Sequence, residues 1–234
     1  MSPTSPPGSP PDVGVLLPAA GRGERAGRGV PKQFRCIAGV PMLLRAIRPF
    51  ASHPRVREII VALPAESAAA PPEWLSAVMG HRLRVVAGGT TRTASVRCAL
   101  RALDPACGIV LVHDAARPFV SAAEIDAVIA AAEQGAGAVP AVPVSDTLKR
   151  SDDGRQVMAT PSRAGLYRAL TPQGFPRALL AAAYEAAGDA SDVTDDAGLV
   201  EAAGGRVVLV PGRTTNIKVT TPDDFVLAEA LARP

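Results

Sequence analysis

Residues 13–34 read VGVLLPAAGRGERAGRGVPKQF, an apolar run that leads directly into a glycine-rich, basic loop. The run over residues 13–18 is apolar on both faces of an extended chain, which is typical of a parallel strand covered on both sides. In the loop, Gly21 and Gly23 allow backbone amides to come close to a ligand, and three arginines and Lys32 add positive charge. A strand followed by such a loop predicts a phosphate-binding turn at the edge of an α/β sheet.

Beyond this stretch, short β-branched runs alternate with helical stretches rich in alanine and leucine. The alternation predicts a doubly wound, mostly parallel sheet, a Rossmann-like α/β fold. Ligands of such sheets bind beyond the carboxyl ends of the strands, so the loops 19–33, 87–93 and 114–120 are the expected site. The predicted strands are 13–18, 57–62, 83–86, 109–113, 137–142 and 207–210, and the predicted helices lie near 42–51, 72–79, 94–103 and 122–134.

Capping residues predict where three of the helices begin. Ser121 followed by Glu124 is a capping box. Thr91 or Thr93 can cap the helix after the third strand, and Thr221 can begin a last helix.

Length and composition favour one domain in a reducing compartment. The 234 residues suit a single α/β domain over 13–234, and the Pro/Ser-rich residues 1–12 lack the apolar run of a signal peptide, so we expect a disordered tail. Cys36, Cys98 and Cys107 show neither metal nor disulfide spacing, which favours the cytoplasm. With a net charge of +3 and no apolar stretch of about 18 residues, we expect neither a nucleic-acid partner nor a membrane span.

Residues 144–164 interrupt the alternation. They read VSDTLKRSDDGRQVMATPSRA, with Asp153 and Gly154 as a hairpin signal between two short extended runs. The pattern predicts a projecting β-arm. Because such an arm cannot bury its own faces, we expect it to pack on a second subunit in a homodimer. A solvated hairpin is the alternative.

Two common nucleotide motifs match the loop only in part. A P-loop requires Gly-Lys-Ser/Thr, which is absent. Residues 21–26, GRGERA, fit the loose dinucleotide pattern, but the ribose-binding acid about 20 positions on is missing, since Glu58 comes too early and Glu66 too late. An NAD-binding oxidoreductase is therefore a weaker alternative, and a glycine-rich turn with solvated arginines is a purely structural one.

The segment LLPAAGRGERAGRGVPKQF resembles the opening of the 2-C-methyl-D-erythritol 4-phosphate cytidylyltransferases of the non-mevalonate isoprenoid pathway, whose signature has the form PAAGxGxRMxxxxPKQ. The resemblance puts Arg25 and Lys32 on two catalytic basic positions. Ala26 stands where the family commonly has Met, a departure that concerns packing rather than chemistry. Arg22 and Arg28 fall on variable positions of the signature and are expected on the surface.

Further motifs resemble the same family, in order, over roughly residues 13–232. They are AGGTTRTASV, VHDAARPFV, SDTLKR with SRAGLYRALTPQGFP, DVTDDAGLVEAAG and NIKVTTPDDF. The resemblance implies the nucleotidyltransferase fold and these ligand-binding positions: Pro18, Ala19, Ala20, Gly21, Gly23, Gly88, Gly89, Arg92, Ser95, Asp114, Ala115, Arg117, Thr147, Thr171, Thr194 and Asp195. For Thr194 and Asp195, capping the next helix is an equally good interpretation.

The resemblance also implies the chemistry. CMP would pass from CTP to 2-C-methyl-D-erythritol 4-phosphate by in-line attack, with Mg²⁺ held by Asp114. Arg163 and Lys218 would hold the attacking phosphate, with Arg163 and Thr147 reaching across the dimer. His113 is expected to be structural, and Asp114 could instead be a turn residue. A ribitol 5-phosphate cytidylyltransferase is the nearest alternative, although such enzymes tend to read LAGG and HDAVRP where this chain has PAAG and HDAARP.

Overall fold

A computed structural model of the chain describes residues 12–21, 31–80, 82–188 and 194–233. Several predictions concern residues outside these ranges. They are the roles of Gly23 and Arg25, the effect of Ala26 in place of Met, and most of the predicted tail. Asp12, the last residue of that predicted tail, is the first residue of a strand, and its carboxylate accepts a hydrogen bond from Arg57 at 2.8 Å.

Ten strands lie in the described ranges, and most of them form one mixed sheet. They are β1 (Asp12–Pro18), β2 (Cys36–Ile37), β3 (Val40–Pro41), β4 (Val56–Leu63), β5 (Leu83–Ala87), β6 (Cys107–Val112), β7 (Gly137–Pro143), β8 (Tyr167–Ala169), β9 (Gln173–Pro176) and β10 (Val207–Pro211). The order in the sheet is β10-β7-β9-β6-β1-β4-β5, with β8 paired to β7, and β2 and β3 form a separate small hairpin. Neighbours run parallel, except that β9 is antiparallel to both β6 and β7, and β8 is antiparallel to β7. The predicted doubly wound, mostly parallel α/β fold is therefore confirmed.

Helices cover both faces of the sheet. They are α1 (Met42–Ala51), α2 (Ala65–Ala69), α3 (Glu73–Ser76), α4 (Arg92–Ala102), α5 (Ala122–Glu133), α6 (Arg177–Ala187), α7 (Asp196–Ala202) and α8 (Pro222–Ala232), with a 3₁₀ turn at Lys32–Phe34. Alternate residues of β1 face opposite ways, so that Val15 and Leu17 join one core and Leu16 joins the other. The first core contains side chains of α1 and α5, and the second contains side chains of α4, α6 and α7. None of the helices in the described ranges has the length and hydropathy needed to cross a bilayer.

The predicted caps are present at three helices. Ser121 and Glu124 form the capping box of α5, Thr91 caps α4, and Thr221 caps α8. The helix predicted near 72–79 is shorter than expected, since α3 covers four residues and α2 precedes it. Proline and turn residues between these short helices limit their length.

Strand β9 is the largest addition to the predicted sheet. It reads QGFP, too short and too mixed to show strand periodicity. A Cβ at Gly174 would lie 2.3 Å from a Val128 methyl group, so glycine allows α5 to pack directly on this strand. The strand matters for the site because the loop before it carries Thr171.

Residues 144–164, the predicted arm, leave the sheet after β7 and return at β8. The chain reverses at Gly154, whose φ is +71°, and Asp153 Oδ1 accepts hydrogen bonds from the amides of Arg155 and Gln156, both at 2.8 Å. A single antiparallel bridge joins Arg150 to Ala159.

Candidate active site

A cavity of about 310 Å³ opens at the carboxyl ends of β1, β5 and β6. This is the edge where the sequence predicted the site. Many of the predicted residues line it: Pro18, Ala19, Ala20, Gly21, Lys32, Gly89, Arg92, Ser95, Asp114, Ala115 and Lys218. The lining is completed by Gln33, Met42, Thr90, Thr91 and Ala116, which were not predicted individually, although all but Met42 lie in the predicted loops.

Asp114 lies in this cavity among several cations. Its Oδ1 is 3.1 Å from Arg92 Nε, and its Oδ2 is 2.8 Å from Lys218 Nζ and 3.9 Å from Arg117 Nε. Burial by itself would raise the pKa of Asp114, but the charges of Arg92 and Lys218 lower that pKa well below its ordinary value. Asp114 therefore faces the cavity as a carboxylate.

A second carboxylate holds Arg92 from behind. Arg92 Nη2 lies 2.8 Å from Asp196 Oδ2, and the Tyr184 hydroxyl donates to Asp196 Oδ1 at 2.5 Å. Burial raises the pKa of Tyr184, so its hydroxyl keeps the proton that it donates. Although burial opposes it, the charges of Asp196 and Asp114 raise the pKa of Arg92 above its ordinary value.

Sequence reasoning missed Asp196 and chose its two predecessors. Asp195 caps α7 by accepting from the Gly198 amide at 3.0 Å, and its other oxygen accepts from Gln173 Nε2 at 2.7 Å. Thr194 is exposed, and neither residue lines the cavity. No signal in the sequence marks Asp196, because an acid in the first turn of a helix is common and is stabilised there by the helix dipole.

His113 and Thr171 hold the backbone of Asp114 from below. The Asp114 amide donates to Thr171 Oγ1 at 3.1 Å, and Thr171 Oγ1 is 2.9 Å from His113 Nδ1. His113 Nε2 lies 2.9 Å from the Arg117 carbonyl oxygen, which can only accept, so Nε2 carries the proton and Thr171 donates to Nδ1. Burial lowers the pKa of His113 to about 4, which keeps the ring neutral.

Arg117 is buried beside this chain of hydrogen bonds. Its Nη1 donates to the Asn216 carbonyl at 2.8 Å, and burial lowers its pKa from the ordinary value. Neither Arg117 nor Thr171 lines the cavity, so the described residues place both of them behind Asp114.

Lys32 lies on the wall formed by the 3₁₀ turn. Its Nζ donates to the Val219 carbonyl at 3.0 Å, and the next residue, Gln33, donates through Nε2 to the Ala19 carbonyl at 2.9 Å. The second bond joins the 3₁₀ turn to the end of β1. These contacts bring Lys32 and Lys218 into one cavity although the two lysines come from opposite ends of the sequence.

The loop after β5 forms the opposite wall. A Cβ at Gly88 would lie 2.6 Å from the Ala20 Cβ, so the two glycine-containing loops touch. Ser95 is buried, and its hydroxyl donates to the Thr91 carbonyl at 2.8 Å. Small residues such as Ala20, Gly89 and Ser95 thus form this part of the cavity wall.

The two predicted arm residues lie apart from this cavity. Thr147 and Arg163 are exposed on residues 144–164, and the Arg163 guanidinium donates to the Ser145 carbonyl within the arm. Neither contributes to the cavity lining that the described part of one chain provides.

Comparisons with known proteins give one consistent result. The family model for 2-C-methyl-D-erythritol 4-phosphate cytidylyltransferase matches residues 13–233. An enzyme of that name from Frankia casuarinae is 48% identical over 225 residues, which cover 94% of this chain and 81% of the relative, and one from Streptomyces coelicolor is 47% identical over 95% and 86%. The crystal structure of the Thermus thermophilus enzyme of that name superposes with a TM-score of 0.81 at 40% identity, over 95% of this chain and 100% of the other. The chain therefore belongs to the 2-C-methyl-D-erythritol 4-phosphate cytidylyltransferase family.

Proposed function

We propose that this chain transfers the cytidylyl group of CTP to 2-C-methyl-D-erythritol 4-phosphate and releases pyrophosphate. Family membership supports this choice of substrates. The observation that carries the proposal is the cavity itself, in which the Asp114 carboxylate lies between Arg92 and Lys218 while Lys32 lines the same space. Fixed charges of both signs at the edge of an α/β sheet suit a triphosphate and a second phosphate.

The reaction is a direct in-line displacement. An oxygen of the acceptor phosphate attacks the α-phosphorus of CTP and forms a new P–O bond. The bond from that phosphorus to the bridging oxygen of the β-phosphate breaks, and pyrophosphate leaves with the electron pair. Because a phosphate monoester is already nucleophilic, no covalent enzyme intermediate is needed. Catalysis then consists of positioning and charge neutralisation.

The basic residues divide this work between them. Lys32, together with Arg25, stabilises the charge that builds on the α-phosphate and the leaving pyrophosphate. Lys218 and Arg163 hold the acceptor phosphate for attack. The Lys218 side chain is 45% exposed where it meets Asp114, so its ammonium can exchange that carboxylate for a phosphate oxygen. The loops with Gly21 and Gly89 enclose the cytidine.

The donor set around Asp114 fits Mg²⁺ only together with substrate. No group of three or more His, Cys, Asp or Glu side chains in the described ranges could hold a metal ion alone. Asp114 supplies one ionised carboxylate on the cavity wall, and Mg²⁺ commonly takes one such ligand plus phosphate oxygens and water. When bound, Mg²⁺ would neutralise triphosphate charge. Asp114 would become available to it by exchanging contacts with Lys218 or Arg92.

We further propose a cytoplasmic homodimer in which the arm of one subunit completes the site of the other. Exposed apolar side chains on and beside the arm support this, namely Val157, Met158, Leu166 and Tyr167. Burying these side chains on a second subunit would remove apolar surface from water. The same packing would carry Thr147 and Arg163 to the partner's acceptor phosphate.

Pyrophosphate release from CTP tests the proposed reaction directly. We expect Mg²⁺-dependent release with 2-C-methyl-D-erythritol 4-phosphate and little with ribitol 5-phosphate. Lys32→Ala is expected to lower kcat by about 10²-fold or more, the scale for losing one transition-state donor. Near-normal turnover by Lys32→Ala, a preference for ribitol 5-phosphate, or tight binding of NAD in place of CTP would contradict the proposal.

A further inference from the structure

Lys218 lies on a segment that neither a helix nor a strand holds in place. Residues 212–221 connect β10 to α8 without regular structure. The ion pair between Lys218 and Asp114 is partly exposed, and exposed pairs contribute little to fixing a backbone. Other contacts of residues 212–221 must therefore set where the Lys218 ammonium lies.

Asn216 holds this segment in place through hydrogen bonds to three other residues. It is fully buried, and its Nδ2 donates to Glu124 Oε1 at 3.1 Å and to the Thr171 carbonyl at 2.9 Å. Its own carbonyl accepts from Arg117 Nη1 at 2.8 Å. Because a carboxylate and a backbone carbonyl can only accept, the amide nitrogen must face them, which fixes the orientation of the side chain.

Glu124 ties Asn216 to a rigid helix. Its Oε2 accepts from the amide and the hydroxyl of Ser121 at the start of α5, at 3.0 and 2.8 Å. Its Oε1 accepts from the Arg213 amide at 3.0 Å as well as from Asn216. A carboxylate can accept all of these bonds, whereas a glutamine would turn an N–H group toward some of the donors. Glu124 thus caps α5 with one carboxylate oxygen and anchors residues 212–221 with the other.

The same segment holds the second lysine of the cavity. The Val219 amide donates to the Ala116 carbonyl at 2.8 Å, beside Asp114, and the Val219 carbonyl accepts from Lys32 Nζ at 3.0 Å. A shift of residues 216–219 would therefore displace Lys218 and also the acceptor of Lys32.

We infer that Asn216 is a positioning residue of the cytidylyl transfer, which holds Lys218 opposite Asp114, and that Glu124 is its anchor. Asn216 does not line the cavity, so it acts through Lys218 rather than on substrate. Its Oδ1 is buried with no hydrogen-bond partner in the described part of the chain. The asparagine is therefore useful here for its two donated bonds. This inference depends on the role proposed above for Lys218.

A double-mutant cycle separates positioning from general stability. Asn216→Ser is made in the natural sequence and in Lys218→Ala, and kcat/KM for the acceptor is measured in both. We expect a loss of about 10²-fold in the natural sequence, the scale for displacing a reacting group by about 1 Å. In Lys218→Ala the further loss should be below about tenfold, because Lys218 is already gone and only the Val219 acceptor of Lys32 remains to be displaced. Equal losses in the two backgrounds, or no loss in the first, would overturn the inference.

Two further variants keep the test decisive. Ser121→Ala removes a hydroxyl from Glu124 but leaves the bond to Asn216, so it should lower Tm without changing kcat/KM. If Asn216→Ser does not fold, Glu124→Gln is put through the same cycle and should show the same dependence on Lys218. Lys218→Ala alone tests the proposed function: if it kept near-normal kcat/KM, the role of Lys218 and the inference would both fall. Equal losses in the cycle would remove only the inference.

Discussion

The surroundings of Asp114 and the arm of residues 144–164 hold their charged side chains in opposite ways. Around Asp114, the charged side chains are paired within the chain, from the buried Asp196 through the half-buried Arg92 to the partly exposed Lys218. In the arm, charged side chains are exposed and bond to other residues of the arm, as Asp153 and Arg163 do. The fold pairs the charged side chains around Asp114 with one another. The arm leaves its charged side chains exposed to solvent or to a partner subunit.

The contrast is clearest between two ion pairs. The pair of Arg92 with Asp196 joins a half-buried guanidinium to a carboxylate with no exposed surface, at 2.8 Å. Arg150 and Asp152, in the arm, lie 3.8 Å apart with side chains 72% and 69% exposed. Water screens the second pair but cannot reach the Asp196 carboxylate, so only the first pair is costly to break.

Breaking the buried pair should have the largest effect on stability. Arg92→Ala leaves Asp196 in the interior without its cation, and we expect the free energy of unfolding to fall by about 3–5 kcal/mol. The matched change in the arm, Arg150→Ala, should lower it by less than about 1 kcal/mol. Urea unfolding of both variants measures the difference. Adding Asp196→Asn to Arg92→Ala should recover part of the loss, since the buried charge is then removed. Equal losses for the two arginine variants would contradict the contrast.

The sequence was sufficient to predict the fold class and most of the residues that line the cavity. Apolar strands and capping residues such as Ser121 and Thr91 act locally, so their patterns predicted β1, β6, α4 and α5 well. Asp196, Asn216 and Glu124 could not be assigned to the site in this way. Their roles depend on contacts between residues as far apart as Arg92 and Asp196, which no local pattern records.

Family resemblance assigned some residues that the fold uses differently within one chain. Thr171 accepts from the Asp114 amide and Arg117 donates to the Asn216 carbonyl, both behind the cavity, and Asp195 caps α7. A motif identifies which residues belong near a site, but not whether a side chain meets the ligand or holds another residue. Only the hydrogen-bond partners of each side chain separate these two roles.

A smaller effect is expected from pH, because His113 is buried neutral next to Asp114. Its pKa is lowered by burial from 6.5 to about 4, so between these values the unfolded chain binds the extra proton and the folded chain does not. Stability must therefore rise with pH across this window. Lowering the pH from 7 to 5 should remove about 2 kcal/mol of unfolding free energy through this histidine.

Urea unfolding at the two pH values, with and without His113→Asn, isolates that contribution. The variant should be less stable at pH 7 but lose less stability on acidification. NMR titration of the His113 ring in the natural sequence gives the same information without a mutation. A ring that titrates near 6.5, or an unchanged pH slope in the variant, would show that the histidine is not held neutral by its surroundings.

The arm should give the smallest effect, a partial recovery of activity in mixed dimers. Lys32→Ala and Arg163→Ala, each inactive alone, are co-expressed with different tags and purified together. If Arg163 serves the partner's cavity, a mixed dimer has one site with both changes and one with neither. Random pairing would then restore about one quarter of the natural activity, since half of the dimers are mixed and each has one intact site.

The control for this experiment uses two residues from the same cavity of one chain. Co-expressed Lys32→Ala and Lys218→Ala should restore nothing, because Lys32 and Lys218 line a common space and every site in a mixed dimer lacks one of them. If Arg163 acted in its own chain, the Arg163→Ala mixture would behave like this control. Recovery with Arg163→Ala but not with Lys218→Ala would therefore mean that the fold organises the Asp114 side of the site within one chain, while the arm supplies its charge only to a second copy.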